Sequence, residues 1–242
     1  MPKILFLDLE TAPNLGWVWG KWEQNVIAFE EDWYILSFAY KWQGQAKVHF
    51  KGLPDYTGYD KNKKNDKKLV QDLWKIMDEA DIIVAHNGER FDIKKSNARF
   101  VYHGLTPPSP YKTVDTLKVA RKIFRFDSNK LNDLGVTLGL GKKLPNTGFD
   151  LWKRCMDGVL AAWRDMKAYN VQDIVLLEKI YNRFKAWDKG HPNLKLYSRP
   201  DACPTCQSIH VQKRGLSRLQ QTIKQRWTCM SCGAWWSGKF VK

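Results

Sequence analysis

The chain has 242 residues, 43% of them hydrophobic, including 12 Trp, 11 Phe and 9 Tyr. This supply is enough for one well-buried core with a small appendage, and it excludes a disordered chain. The formal net charge is +15, and residues 185–242 hold 11 Lys or Arg against 2 Asp, whereas residues 1–184 hold 29 Lys or Arg against 23 acids. A basic end of this kind indicates a polyanionic partner, most simply nucleic acid, although a basic surface that only confers solubility has the same composition.

Neither a targeting signal nor a membrane span is expected from the sequence. Met1-Pro2-Lys3 leads directly into a strand-like run, unlike a signal peptide, and no apolar stretch approaches membrane-spanning length. Four of the five cysteines fall in two C-x-x-C pairs, a usage that favours metal ligands over disulfides, and Cys155 is expected to be a small core residue. These features predict a reducing, cytoplasmic location.

The hydrophobic pattern predicts strands and helices over the first part of the chain. Strands are predicted at residues 3–10, 33–42, 46–51, 82–85 and 111–115, and helices at residues 69–77, from about residue 91, and at residues 117–123, 131–138 and 159–187. Three strands precede the alternation of strands with helices, so the order indicates an α/β layer fold with a mixed sheet. The charged run at residues 61–68 is predicted to be a solvated loop that leads into a helix.

A domain boundary is predicted near residue 190. The pattern of strands and helices breaks at Gly190, at His191-Pro192 and again at Pro200, and Gly and Pro are the residues that most often interrupt regular structure. No internal repeat is visible. The predicted organisation is a main domain, a linker and a small C-terminal domain, at residues 1–187, 188–200 and 201–242.

Two acidic residues, Asp8 and Glu10, close the first predicted strand. They are two residues apart, so both side chains leave the strand face that carries Ile4 and Phe6. They also lie at the carboxyl end of the strand, where open α/β sheets bind their ligands. Acids are common at strand ends, but a carboxylate among apolar side chains is costly unless it is paired or binds a metal.

Asp92 and Asp173 extend this acidic set from two predicted helices. Asp92 is expected in the first turn of its helix, where the helix dipole alone also favours an acid. Asp173 falls within a mostly apolar stripe, and Tyr169 projects from the same face one turn earlier. The stripe consists of Met166, Asn170, Ile174, Leu177, Tyr181 and Phe184. A carboxylate within such a stripe indicates a bound partner.

Four acids gathered from a strand and two helices suit the hard divalent cations Mg²⁺ and Mn²⁺. Two such ions about 3.5–4 Å apart activate a water and stabilise the leaving oxygen in phosphodiester hydrolysis. A tyrosine hydroxyl beside one ligand is placed to orient the attacking water. The acidic set therefore predicts a site for metal-dependent phosphodiester chemistry.

Residues 4–11, 86–92 and 169–173, in this order and at these separations, resemble the Exo I, Exo II and Exo III motifs of the DEDD-type 3′–5′ exonucleases. The Tyr-x-x-x-Asp spacing is similar to the tyrosine-bearing branch, which includes the proofreading domains of DNA polymerases. The histidine-bearing branch has His where this chain has Ala168. The resemblance covers about residues 3–185 and implies a ribonuclease H-like fold, with a mixed sheet flanked by helices.

The resemblance also implies a role for each site residue. Asp8 would bridge two Mg²⁺ or Mn²⁺ ions, and Asp92 would serve the second ion. Glu10 and Asp173 would hold the ion that activates water, which Tyr169 would position. The residues that would line the 3′ end of the substrate are Thr11, His86, Asn87 and Phe91. A histidine at a strand end is often only a structural hydrogen-bonding group, so that alternative is open.

The C-terminal segment carries Cys203-Pro204-Thr205-Cys206 and Cys229-Met230-Ser231-Cys232, separated by 22 residues. Each pair can hold one side of a tetrahedral Zn²⁺ as thiolates, and this pattern resembles a zinc ribbon. A redox C-x-x-C is the alternative function, and His210 is an alternative ligand. The segment is too small for a self-sufficient core, so one structural Zn²⁺ is expected to hold its fold together.

Basic and aromatic side chains interleave in the C-terminal segment. This pattern is typical of proteins that bind single-stranded or junction nucleic acid. There are two alternatives: the tryptophans cap the ribbon and the charges are solvated, or the surface docks a protein. The candidate nucleic-acid-binding residues are Lys213, Arg214, Arg218, Lys224, Arg226 and Trp227, with Trp235, Trp236 and Phe240 near them. An insert after Thr11 carries Trp17, Trp19 and Trp22, which either stack on the terminal base or, as we expect, cover the sheet.

The sequence as a whole predicts a metal-dependent 3′–5′ exonuclease that releases 5′-mononucleotides from DNA or RNA. The expected partner is nucleic acid, with single-stranded 3′ ends favoured, and a replication or repair protein is a further candidate. A structure-specific endonuclease or flap nuclease on the same fold is one alternative, and a non-catalytic nucleic-acid-binding protein is another. A protein that only binds would have little reason to retain all four acids and the tyrosine.

Overall fold

The computed structural model describes residues 1–22, 25–197 and 200–241. Helices cover a five-stranded sheet, and a three-stranded sheet forms the C-terminal part. The strands are β1 (Ile4–Thr11), β2 (Leu15–Trp17), β3 (Ala28–Glu31), β4 (Ile35–Trp42), β5 (His49–Gly52), β6 (Ile82–Ala85), β7 (Lys112–Asp115), β8 (Val211–Arg218), β9 (Ile223–Cys229) and β10 (Trp235–Phe240). The helices are α1 (Lys67–Asp78), α2 (Asp92–Tyr102), α3 (Thr116–Ile123), α4 (Leu131–Thr137), α5 (Phe149–Met156) and α6 (Leu160–Phe184).

Strand β1 lies at the centre of the five-stranded sheet, whose order is β5-β4-β1-β6-β7. On one side β4 and β5 pair antiparallel, and on the other side β6 and β7 pair parallel. Antiparallel strands need only short turns, whereas parallel strands need crossover connections, which α1 and α2 supply in the chain order. This arrangement confirms the predicted α/β fold with a mixed sheet flanked by helices.

The alternating side chains of β1 divide the core into two parts. Leu5 and Leu7 are fully buried in the cluster that includes residues of α1, whereas Ile4 and Phe6 are buried in the cluster that includes most of the buried residues of α6. The ring of Phe6 meets that of Tyr181 in α6 edge to face, with centroids 5.4 Å apart. The side chains that continue this second row toward the end of β1 are therefore directed at α6.

The charged run at residues 61–68 is not a fully solvated loop, so its prediction is wrong at Asp66. This carboxylate is completely buried and accepts hydrogen bonds from the backbone N–H of Ile35 at 2.9 Å and from Arg99 Nε at 2.8 Å. His103 Nε2 lies 2.7 Å from the same carboxylate. All three partners are distant in sequence, which is why local charge patterning did not reveal the burial.

The insert after β1 forms a hairpin of β2 and β3 that the sequence pattern did not predict. The insert does not cover the sheet, contrary to expectation, because its tryptophans are exposed: Trp17 by 64%, Trp19 by 86% and Trp22 by 83%. Residues 23–24 of the insert lie outside the described residues. Helix α5 is a second element that the pattern did not predict.

The segment predicted as a linker contacts both parts of the chain. Leu194–Tyr197 form a 3-10 turn, and Leu194 is buried in the core cluster that α6 completes. Its backbone N–H donates to the carbonyl of Pro204 at 2.7 Å, which ties the C-terminal part to the main domain. Residues 198–199 of the predicted linker lie outside the described residues, as does residue 242. In the described part of the chain, no helix is long and apolar enough to cross a membrane.

Candidate functional site

Three of the predicted acids meet where β1 runs beneath α6. The carboxylates of Asp8, Glu10 and Asp173 each offer an oxygen within 4.8 Å of the others. Asp173 is 1% exposed, and its Oδ1 is buried without a hydrogen-bond partner in the described residues. A buried carboxylate oxygen with no partner is costly, and a bound cation is the chemical group that would complete it.

Asp92 is placed beside this cluster and does not join it. It begins α2, is 4% exposed, and accepts hydrogen bonds from its own backbone N–H and from that of Leu9. Its negative charge nevertheless contributes to raising the pKa of Asp8. Asp92 therefore fits both explanations of its position. It is an acid at the start of a helix, and its charge also acts on the acidic cluster.

The pKa values of the acids show how unfavourable the site is without a cation. Burial, followed by the charge of Asp173, raises the pKa of Glu10 to about 8. Burial raises the pKa of Asp92 to about 7 against the opposing effect of its backbone hydrogen bonds. Burial and then the charges of Glu10, Asp173 and Asp92 raise the pKa of Asp8 well above its usual range. Hard oxygen ligands that repel one another in this way fit a divalent metal.

Lys143 is a member of the site that the sequence did not reveal. Its Nζ donates to Asp173 Oδ2 at 2.6 Å and to the hydroxyl of Tyr169 at 3.0 Å. Burial opposes the ammonium form, but the charge of Asp173 and these two hydrogen bonds raise the pKa of Lys143 above its usual value. A lysine in a loop has no periodicity to mark it, and only the folded chain brings it beside an acid 30 residues away.

Two further side chains orient the acids. Asn170 Nδ2 donates to Asp8 Oδ2 at 2.5 Å, and Asn170 Oδ1 accepts from Ser37 Oγ at 3.2 Å. Trp152 Nε1 donates to Glu10 Oε2 at 3.1 Å. Asn170 was visible in the sequence as a polar member of the α6 stripe, whereas Trp152 lies on the unpredicted helix α5.

Among the residues predicted to line the substrate, His86 is held by hydrogen bonds within the protein. His86 contacts Thr116 Oγ1 through Nδ1 at 2.9 Å and the carbonyl of Asn129 through Nε2 at 3.0 Å. Burial lowers the pKa of His86 to about 4, so the ring is neutral and held from both sides. This favours the structural alternative for His86, and a substrate contact stays a prediction.

Asn87 opens toward a cleft next to the acids. It has a positive φ of 65°, and its backbone N–H donates to Asp115 Oδ1 at 2.9 Å. The cleft has a volume of about 670 Å³ and is lined partly by Arg121 and by Lys143. Phe91 is 36% exposed at the start of α2, and Thr11 is half-buried where the register between β1 and β4 shifts. A strand end next to a basic cleft is a suitable place for a polyanion.

The four cysteines of the two C-x-x-C pairs form one cluster. Their Sγ atoms all lie within 4.8 Å of one another, with 3.8 Å between Cys203 and Cys232 and 3.6 Å between Cys206 and Cys229. A tetrahedral Zn²⁺ with Zn–S bonds of about 2.3 Å requires sulfurs about 3.8 Å apart, whereas a disulfide requires about 2.05 Å. The arrangement fits zinc, and His210 does not belong to the cluster.

The predicted basic residues of the C-terminal part lie on one small sheet of β8, β9 and β10. Strand β8 carries Lys213, Arg214 and Arg218, and β9 carries Lys224, Arg226 and Trp227. Beside the cysteines, only Ala202 and Ala234 are buried apolar residues in this part, considering the residues that the structure describes. An apolar core this small is typical of domains that a bound metal stabilises.

Comparisons with known proteins bear on the fold. A family model described as the RNase_H superfamily matches residues 34–185, a range that includes Asp92, Tyr169 and Asp173 and begins after β1. The chain is also similar in structure to the family B DNA polymerase from the hyperthermophilic archaeon Pyrobaculum calidifontis, with a TM-score of 0.55 and 13% sequence identity. The comparison with curated proteins gave no match.

The two similarities concern different shares of the chain. The structural match covers 76% of this chain but only 24% of the polymerase chain, and at this low identity it shows a common fold. The family match spans more than half of this chain, and together they support the ribonuclease H-like fold with its nuclease-type architecture. The chain belongs to the RNase_H superfamily.

Proposed function

We propose that the chain is a metal-dependent 3′–5′ exonuclease of the tyrosine-bearing DEDD type, which hydrolyses the terminal phosphodiester of DNA or RNA and releases 5′-mononucleotides. One observation carries this proposal. Asp8, Glu10 and Asp173 converge within 4.8 Å of one another, and the hydroxyl of Tyr169 is linked to Asp173 through Lys143, which contacts both.

The comparisons support the same class of protein. Superfamily membership supports a nuclease-type fold, and the structural similarity is to a DNA polymerase. The sequence resemblance points to the branch that includes polymerase proofreading domains. The exonuclease direction and the DEDD assignment go beyond these similarities and rest on the residues of the site.

Two Mg²⁺ or Mn²⁺ ions are proposed for the acidic site. Asp8, Glu10 and Asp173 would hold them, with Asp92 adjacent, and bound ions would supply Lewis-acid stabilisation and a more acidic water. Asn170 and Trp152 hold two of the carboxylates in place by hydrogen bonds, so the ligands are oriented before an ion binds. Preorganised ligands of this kind lose little freedom on binding.

Tyr169 and Lys143 complete the proposed machinery. The Tyr169 hydroxyl accepts a hydrogen bond from Lys143, and burial followed by the charge of Asp173 raises the pKa of Tyr169 to about 12. The phenol therefore keeps its proton at neutral pH and can donate a hydrogen bond to a water oxygen. Lys143 supplies a positive charge at the same point, which favours the approach of an anionic phosphodiester.

The C-terminal part is proposed to be a zinc ribbon, joined to the exonuclease domain through residues 188–200, which holds one structural Zn²⁺ and assists nucleic-acid binding. Its cysteine geometry fits this ion, and its basic strands suit a polyanion. The proposed organisation is therefore one catalytic domain with a separate binding element, and Leu194 of the connecting segment is buried in the core of the catalytic domain.

The proposal is tested with DNA and RNA oligonucleotides labelled at either end and with circular single strands, in Mg²⁺ or Mn²⁺. We expect stepwise shortening from the 3′ end, mononucleotide release and no cutting of circles. Since Lewis-acid stabilisation is worth several kcal/mol, Asp8→Ala should lower the rate roughly 10²–10⁴-fold while the far-UV circular dichroism is unchanged. Cleavage of circles would instead indicate an endonuclease, and folded Asp8→Ala with full activity would remove the site assignment.

A further inference from the structure

One face of the C-terminal sheet pairs basic with aromatic side chains. The register of β9 and β10 sets Trp235 opposite Thr228 and Phe240 opposite Lys224. Because side chains alternate along a strand, Lys224, Arg226 and Thr228 share one face with their partners. The guanidinium of Arg226 lies 5.2 Å from the ring of Trp235, and Lys224 Nζ lies 4.6 Å from the ring of Phe240. We call these four paired side chains the outer ribbon face.

The opposite face of the same sheet also carries a cation–aromatic pair, with Lys213 Nζ 5.7 Å from the ring of Trp227, but its rings pack against each other and against the cysteine cluster. Trp227 stacks on Trp236, with the rings 8° from parallel and their centroids 6.4 Å apart, and Trp236 packs against the cysteine cluster. A Cβ atom on Gly238 would lie 2.7 Å from Trp227 Nε1, so the backbone closely approaches this ring. Trp227, predicted to bind nucleic acid, therefore has its ring packed within the ribbon itself.

The two rings of the outer ribbon face are exposed, and no acidic side chain of the same part of the chain accompanies its two cations. Trp235 is 56% exposed and Phe240 is 65% exposed, although large apolar rings normally add to the core of so small a unit. Residues 202–241 contain no Asp or Glu, so no acid of this part of the chain neutralises the two cations, which contact rings and, for Arg226 Nε, the carbonyl of Arg214 at 3.0 Å. A partner complementary to this face carries both negative charges and flat apolar groups.

Single-stranded nucleic acid meets both requirements. We propose that the outer ribbon face binds a single strand, with bases stacked on Trp235 and Phe240 and phosphates at Arg226 and Lys224. The proposal deepens the exonuclease function above and rests on its substrate class. Paired bases in a duplex have no free faces to offer, so the stacking half of this site selects unpaired strands.

The spacing of the two rings suits separate bases. Their partners in β9, Thr228 and Lys224, are four residues apart, which is about 13 Å along a strand. One base cannot contact both rings over this distance, whereas two bases of one extended strand can. Each ring should then contribute independently to affinity.

The test uses the full-length, zinc-loaded chain in an Asp8→Ala background, which prevents cleavage during binding measurements. Fluorescence anisotropy compares labelled oligothymidylate with an abasic oligonucleotide of equal length. Stacking is worth about 1–3 kcal/mol per base, so Trp235→Ala and Phe240→Ala should each weaken oligothymidylate binding roughly ten-fold and leave abasic binding unchanged. Arg226→Gln should weaken both and reduce the log–log salt slope by about 0.7.

A matched control is available in the main domain. Tyr102 is 69% exposed and lies 4.1 Å from the Arg99 guanidinium, so Tyr102→Ala removes a similar cation–aromatic pair elsewhere and should not change binding. Retention of one Zn²⁺ per chain verifies that each ribbon variant is folded. Unchanged oligothymidylate affinity in zinc-loaded Trp235→Ala and Phe240→Ala would overturn the proposal and reassign the face to protein docking.

The outcome is separable from that of the exonuclease proposal. Cleavage by the unmodified chain tests the acidic site, whereas binding in the Asp8→Ala background tests the ribbon. If the chain cleaves oligonucleotides but its ribbon variants bind normally, the exonuclease proposal is supported and the binding role of the outer ribbon face is refuted. If the chain binds single strands through this face but does not cleave them, the binding role is supported and the exonuclease proposal is refuted.

Discussion

Replacing Glu10 with glutamine should stabilise the protein while removing its proposed activity. The folded-state pKa of Glu10 is about 8 against an ordinary value of 4.5, so the folded chain binds the proton more tightly than the unfolded chain. The stability contributed by that proton is complete below about pH 4.5 and is lost as the pH rises through about 8. Above that pH, a charged Glu10 lies beside two other acids without a metal to neutralise it.

The size of the stability change follows from the shift in the pKa of Glu10. Each pKa unit corresponds to about 1.4 kcal/mol, so the full rise from 4.5 to about 8 sets an upper bound of about 5 kcal/mol. Glu10 is only half-buried by its surface exposure and shares its titration with neighbouring acids, so we expect about 2–4 kcal/mol. Glutamine keeps an oxygen for the hydrogen bond from Trp152 Nε1, so the geometry is retained.

The assay is urea unfolding followed by far-UV circular dichroism at pH 5 and pH 8.5, in buffer freed of Mg²⁺ and Mn²⁺ with the ribbon zinc retained. Glu10→Gln should exceed the unmodified chain only slightly at pH 5, where little of the proton-linked stability is lost, and by far more at pH 8.5. Adding Mn²⁺ should stabilise the unmodified chain by mass action and the variant much less. Equal stabilities at pH 8.5 would refute the argument that this carboxylate is desolvated and repelled.

Glu89→Gln is the matched control, because the same chemical change should have the opposite sign. The hydrogen bond from Lys118 lowers the pKa of Glu89, so its contribution to stability is present above its ordinary pKa and is lost as the pH falls. Glu89→Gln should therefore be slightly less stable than the unmodified chain at pH 8.5. Opposite changes in the two variants would show that local environment, and not the loss of a charge as such, determines the result.

Three further outcomes are expected. Tyr169→Phe should lower the cleavage rate clearly and leave Mn²⁺ affinity in a calorimetric titration almost unchanged; a loss of Mn²⁺ binding would make the tyrosine a support for the ligands. Lys143→Met should raise Mn²⁺ affinity roughly ten-fold, because it removes a cation 2.6 Å from Asp173 that repels the metal, and unchanged affinity would contradict this competition. Cys203→Ser should abolish the zinc content measured by elemental analysis and unfold the ribbon, whereas a chain that keeps one zinc would show that this thiolate is dispensable.

The sequence by itself determined those features that depend on local periodicity. The two-residue spacing of Asp8 and Glu10 places them on one face of any strand, and the four-residue spacing of Tyr169 and Asp173 places them on one face of any helix. The two C-x-x-C pairs likewise indicate a four-sulfur site without knowledge of the fold. The positions along the chain of the strands of the five-stranded sheet and of five helices followed from apolar runs, which is why the mixed α/β architecture could be predicted.

Tertiary structure alone decided which distant groups meet. Lys143 reaches Asp173 from a loop, Trp152 reaches Glu10 from an unpredicted helix, and Asp66 is buried against Arg99. No local sequence pattern indicates any of these pairs, because each is a tertiary contact between residues that are tens of positions or more apart in the chain. Burial and mutual repulsion among charges are properties of the packed state, and so the raised pKa of Glu10 is determined by the fold.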